Sequence, residues 1–566
     1  SRLEYRHGTF LMPRVKLRRP SARAPAGPRS GAGWPAIVGP ECDHGGVTED
    51  PAPVETTIHA DPVRPADAPR ETSEHRSSPT SEAFVAFMAS GWAKRYDDLP
   101  QLTEPARWAA QRRDALSRAF PGERLVVPAG DLKVRSNDTD YQFRPHTAFA
   151  HLTGLGADRE PDAVLVLEPR DQDEGGGHEA VLYARPMAPR DSEESFTNHR
   201  YGEFWIGPGP TLESLSAELG VSTAHLDQLG DALGKDLGLV GLRAMKGVDA
   251  AVDALVNTAR QNTADARIIE AAQEADRDLA VHVSTMRLVK DPWEIDQMRL
   301  ACRETASAFE AVVREFPEAV RRGRGERWIE GVFGLHARHA GNGVGYDSIC
   351  ASGDHANTLH WTRNTGEVRQ GDLILIDAGI EVDSLFTADI TRTLPVTGRF
   401  SPAQRKVYEA VLDAQEAGLA AAKPGATFKD VHAAAIAVIA RYCHEWGLLP
   451  AGVTVEQTLA TEGQWHRRWM VHGTSHHLGL DVHDCQQALK EDYMEGTLRP
   501  GMIFTVEPGL YFKADDELVP EELRGIGVRI EDDILITETG YEMLSTLPRT
   551  VDDIEAWMAG LTEIVA

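Results

Sequence analysis

Four acidic residues stand in stretches of chain that are otherwise apolar and strand-like: Asp377 directly after LILI, Asp389 in TADITRT, Glu507 closing IFTVE, and Glu531 after VRI. Burying an ionised carboxylate without a partner is far more unfavourable than packing an apolar side chain is favourable, so each acid needs a compensating charge or donors. Taken singly, an acid at a strand end is more often a turn residue or a helix cap than a ligand. Taken together, the four constrain the fold strongly. Each pair of carboxylates at 4 Å would repel by about 4 kcal/mol at an effective dielectric near 20, and two divalent cations would cancel the charge of the whole set.

A second signal supplies the nitrogen donor. In HGTSHHLGLDVHD, His472 and His476 are four residues apart and His483 follows seven later. Carboxylates with one imidazole make an oxygen-rich set that suits Mn²⁺, Co²⁺ or Fe²⁺ better than the thiolate sites zinc prefers. Two Mn²⁺ ions are therefore the first expectation, with Co²⁺, Fe²⁺ or Zn²⁺ as alternatives.

The rest of the composition narrows the partners. A formal charge of −28 disfavours nucleic acid, which is bound by Lys and Arg on phosphates. No apolar run approaches the ~20 residues a bilayer-spanning helix needs, so a membrane partner is not expected. Cys42, Cys302, Cys350, Cys443 and Cys485 are scattered and form no CxxC pair, which predicts free thiols and a cytoplasmic location.

At 566 residues the chain exceeds one hydrophobic core. Residues 1–80, rich in Pro, Ala, Gly, Arg and Ser without an apolar period, predict a disordered N-terminal extension. Its basic, acid-poor start looks like a transit segment but lacks the apolar stretch of a secretion signal. Residues 81–283 alternate strand-like AVLVLEP and AVLYARP with helical DALVNTARQNTADARIIEAAQEADRDL, which predicts an α/β N-terminal domain. In residues 284–566, Asp291-Pro292, Ser401-Pro402 and Thr427 with Asp430 announce helix starts, and short β runs lie among the helices. The fold class expected for this second, larger domain is α+β.

The settings IDAGI, ADITRT, HGTSHHLGLDVHD, VEPGLY and GVRIEDD resemble the metallopeptidases of the pita-bread fold, over roughly Arg287 to Ser545. That group includes aminopeptidase P, prolidase and methionine aminopeptidase. SHHLGLDVHD, with the upstream SNDTDYQFRPHTAFAHLTGL, is most similar to bacterial aminopeptidase P, also called Xaa-Pro aminopeptidase. The resemblance implies a pita-bread catalytic domain whose metal ligands are Asp377, Asp389, His476, Glu507 and Glu531. It implies that Asp377 binds one metal, that His476 and Glu507 bind the other, and that Asp389 and Glu531 bridge them. A hydroxide shared by the two ions is then the nucleophile. Glu507 would carry the proton, His360, His472 and His483 would meet substrate and transition state, and Tyr511 and Arg529 would support them.

The activity implied is removal of an N-terminal residue from peptides with proline at position two, by a homo-oligomer, either dimer or tetramer. The alternatives are a prolidase restricted to Xaa-Pro dipeptides and a non-enzymatic peptide-binding protein on the same fold. Two departures stand out. Ala150 occupies a position where the closest bacterial relatives are expected to carry Trp, and the Asp377 to Asp389 interval is one residue longer than usual.

Overall fold

The computed structural model describes residues 81–93, 98–171, 175–262 and 266–563; the extension expected over residues 1–80, and Cys42 within it, lies outside them. Near the N-terminal side, short apolar runs build one five-stranded sheet. Its strands are β1 (Glu123–Pro128), β2 (Val164–Pro169), β3 (His178–Ala184), β4 (Ser222–His225) and β5 (Gly241–Ala244), in the order 4-3-2-1-5. β1 runs antiparallel to β2 and parallel to β5, with Leu125 opposite Leu167 and also opposite Arg243. Leu125, Val127, Leu165 and Leu167 pack on one face, with Leu116 and Phe149, while Val126, Val164 and Val166 pack on the other, with Leu229 and Val256. The period of two in these strands thus serves two apolar layers at once.

The larger region combines long helices with short antiparallel ladders. Helix α1 (Pro292–Arg314) starts at Asp291, whose carboxylate accepts from the Glu294 N–H while Glu294 reaches back to the Asp291 N–H. Helix α2 (Pro402–Ala421) begins on the same device, with Ser401 and Gln404. Helix α3 (Phe428–Glu445) packs against α2, and at its start Asp430 accepts the Thr427 N–H. All three starts expected from the sequence are present, because capping needs only neighbours along the chain.

Against these helices lie β6 (Ile349–Ser352), β7 (Leu373–Ala378) and β8 (Ile390–Pro395) in one ladder, and β9 (Ile503–Val506) paired with β12 (Asp532–Ile536) in another. A two-stranded ribbon of β10 (Gly509–Phe512) and β11 (Ile526–Arg529) completes them. One apolar cluster, including Phe309, Phe333, Ile376, Ile390, Tyr408, Leu510 and Val528, ties helices and ladders together. Cys302, Cys350, Cys443 and Cys485 are buried and free. Among the described residues no helix is long and apolar enough to cross a membrane.

Candidate metal centre and active site

The four acids come from strand ends that meet at one point. Asp377 lies near the end of β7, opposite Thr391 of β8, and Asp389 directly precedes β8. Val506 is opposite Asp532, so Glu507 and Glu531 continue that register just beyond the ladder. A bridge between Thr391 and Glu531 joins the two ladders. Ligand atoms of Asp377, Asp389 and Glu531 lie within 4.8 Å of one another, as do those of His476, Glu507 and Glu531, and those of Asp389, His476 and His483. Asp389 and Glu531 therefore stand on both sides of the cluster. Burial, and then the neighbouring acids, hold both carboxyls above the ordinary carboxylate range.

Several side chains around this cluster offset the negative charge. Arg529 Nη2 donates to Asp377 at 2.5 Å, and its Nε donates to Thr391 Oγ1, which donates to Glu531 at 2.6 Å. Arg529 and Glu531 thus meet at Thr391, which links them. His476 Nε2 lies 3.3 Å from Asp389 and 3.7 Å from Glu507. Burial opposes its charge, but the Asp389 hydrogen bond and the Glu507 charge outweigh burial and push the imidazole up to about 9. Carboxylates and an imidazole gathered this closely make a donor set that fits divalent metal.

His360, His472, His483 and Arg529 line one cavity of about 370 Å³ together with the acids, while Tyr511 lines a neighbouring cavity. His472 Nδ1 lies 2.6 Å from the Gly473 carbonyl, which can only accept, so this nitrogen carries the proton. Nε2 of the same ring then accepts from the Tyr511 hydroxyl at 2.7 Å, and that oxygen accepts from Arg529 Nη1 at 3.1 Å. Burial and the nearby guanidinium of Arg529 hold His472 down at about 3, a neutral ring across the physiological range. The Glu507 carboxyl is pushed up to about 7, chiefly by burial.

Sequence reading had missed Tyr346. Its hydroxyl lies 2.7 Å from Asp377 and 2.5 Å from Asp389, shared between the two acids. Two glycines let the chain come close: Gly345 precedes it, where a Cβ would meet Thr387 Oγ1 at 1.8 Å, and at Gly379 a Cβ would meet the Ala388 carbonyl oxygen at 1.6 Å and the Tyr346 ring at 3.1 Å. Asp533 is also new; its carboxylate accepts the Asp389 N–H at 3.0 Å. The two histidines of SHH separate cleanly. His476 faces the acids, whereas His477 is buried and stacked on Phe428 at 4.6 Å.

With this geometry in hand, the relationships to known proteins are direct. A family model for "Metallopeptidase family M24" matches residues 296–538, and one for "Aminopeptidase P, N-terminal domain" matches residues 109–240. Fold and site together define a metallopeptidase. The chain is 48% identical over 482 residues to Xaa-Pro aminopeptidase 2 of Streptomyces coelicolor, covering 85% of this chain and 96% of that relative. It is 36% identical over 462 residues to Xaa-Pro aminopeptidase of Escherichia coli, covering 79% of this chain and 96% of that one. Among solved structures, aminopeptidase P from E. coli with the inhibitor Pro-Leu superposes with a TM-score of 0.68 at 32% identity, over 82% of this chain and all of that one. The chain belongs to the Xaa-Pro aminopeptidase family and is a hydrolase of the metallo-aminopeptidase class.

Proposed function

We propose that this enzyme holds two divalent cations, Mn²⁺ by preference, and hydrolyses the bond between an N-terminal residue and a following proline. Asp377 is assigned to one ion, His476 and Glu507 to the other, and Asp389 and Glu531 to both. The observation that carries this reading is the pair of acids, Asp389 and Glu531, each standing at once beside Asp377 and beside His476. Bound there, the cations would lower the pKa of water towards neutrality and polarise the scissile carbonyl.

The chain's own residues do the rest. Glu507 takes a proton and returns it to the leaving nitrogen. His472 and Tyr511 act as one hydrogen-bonding unit, since the ring nitrogens are already engaged and Arg529 anchors the hydroxyl. His360 and His483 line the cavity opposite them and meet the substrate. Proline specificity belongs to this cavity, because a bond before proline is a tertiary amide with no N–H for a peptidase to hold.

We assign the catalytic work to residues 284–566 and the flanking α/β domain to residues 81–283. The free described cysteines support a cytoplasmic location, and the family relationship supports a homo-oligomer, dimer or tetramer. That the E. coli relative was solved with Pro-Leu supports acceptance of residues beyond proline. The test pairs elemental analysis of metal content with turnover of Arg-Pro-Pro, the dipeptide Arg-Pro, acetylated Arg-Pro-Pro and Arg-Ala-Pro. About two Mn²⁺ per chain and cleavage of Arg-Pro-Pro above all the others is expected from this reading. A preference for the dipeptide would make the enzyme a prolidase, and metal or peptide binding without turnover would make it a binding protein.

A further inference from the structure

His483, itself exposed, reaches the site from the 479–484 loop, and among the described residues no hydrogen bond holds its ring. The ring packs edge-on against His476, with centroids 4.2 Å apart. Where it stands is therefore set by the backbone that carries it. That backbone is braced from within: Gly479 N–H donates to the Asp481 carbonyl, Asp484 N–H donates to the His477 carbonyl, and Thr387 N–H donates to the Gly479 carbonyl. The brace is anchored from the other domain. Thr147 Oγ1 lies 2.7 Å from each oxygen of Asp481, and Arg144 lies 3.2 Å from Asp481, also donates to the Leu480 carbonyl, and binds Glu381 at 2.7 Å.

The anchor itself is rigid. Thr147 opens a helix, Thr147–Thr153, in which every residue is buried, and a Cβ at nearby Gly156 would meet the Asp383 carbonyl oxygen at 2.7 Å. The segment is thus pressed against both the 479–484 loop and the hairpin tip that joins Asp377 to Asp389. We propose that Arg144 and Thr147 are positioning residues of the N-terminal domain, fixing the loop through Asp481 and so holding His483 in the cavity. This rests on the reading above in which His483 meets the substrate. The N-terminal domain then has a part in turnover.

The test uses the full chain loaded with Mn²⁺. Thr147→Val, which keeps shape and loses the hydroxyl, should lower kcat about tenfold with KM within about twofold, and Thr147→Ser should restore it. Arg144→Met should lower kcat in the same way. In a His483→Ala background, Thr147→Val should have no further effect. Hydrogen exchange of the resting enzyme should speed up at amides 479–484 in Thr147→Val and stay unchanged in β7. An unchanged exchange rate in the loop, no rescue by Ser, or a full further loss of kcat in the His483→Ala background would overturn the proposal. The exchange measurement needs no substrate, so it decides the bracing even if the peptide specificity proposed above proves wrong.

Discussion

Tyr346 illustrates how a single residue can be central to a site and invisible in the sequence. Its hydroxyl touches two of the acids that the sequence singles out, yet GVGYDS carries no periodicity, and the tyrosine approaches because two glycines let the chain pass closely. Burial, then the adjacent carboxylates, hold the phenol well above its usual range, so it is a neutral donor that orients both acids. Such supporting hydrogen bonds contribute about 10- to 100-fold in metal affinity, so Tyr346→Phe should weaken Mn²⁺ binding at least tenfold by titration. Unchanged affinity would show that the hydroxyl merely fills space.

A second residue, far from the metal cluster, tests electrostatics by itself. Glu160 is pushed up to about 7, mainly by burial and further by Glu218, against the pull of Arg159. Its folded carboxyl binds a proton more tightly than the unfolded one, so this group's contribution to stability falls as pH rises from about 4.5 to about 7. Glu160→Gln removes that titration. The melting temperature of the variant relative to wild type should therefore improve between pH 5 and pH 8, and a difference flat across that window would refute the assignment.

At the scale of elements, the helix starts were legible because a cap is made by residues within four positions of each other. What the caps do beyond the helix was not. Asp291 also receives Arg112 Nη2 at 2.6 Å, and Glu294 lies 3.3 Å from His151, so the start of α1 is where the larger region grips the N-terminal domain. Asp291→Ala should cost about 2–4 kcal/mol in denaturant unfolding, since it removes a cap and strips a buried guanidinium of its nearest carboxylate. Ser401→Ala, which removes a cap alone, should cost about 1 kcal/mol. Equal losses would mean the Arg112 contact adds nothing. Strands showed the same division: the strand-like runs AVLVLEP and AVLYARP are plain in the sequence, but the order 4-3-2-1-5 is not, because pairing partners are chosen by long-range packing.

At the scale of the whole molecule, acids from residues 377 to 531 must be held together against their own repulsion. Any ligand that binds only the folded chain stabilises it, and Mn²⁺ at 100 times its Kd would add about 2.7 kcal/mol. Calorimetry should show the chelated enzyme melting at a lower temperature than the Mn²⁺-loaded one, with readdition reversing the shift; identical transitions would argue against metal in this cluster. The sequence by itself determined the residue types of the site, its donor chemistry and the helix caps, since acids within apolar runs and caps are local patterns. Only the tertiary structure decided that Tyr346 and Thr391 link those acids, that His477 belongs to the core while His476 faces the cavity, and that Arg144 and Thr147 reach the His483 loop. The reason is physical: local chemistry is written in neighbouring residues, whereas contacts between residues 31 to 334 positions apart depend on how separate apolar faces pack, which no short pattern encodes.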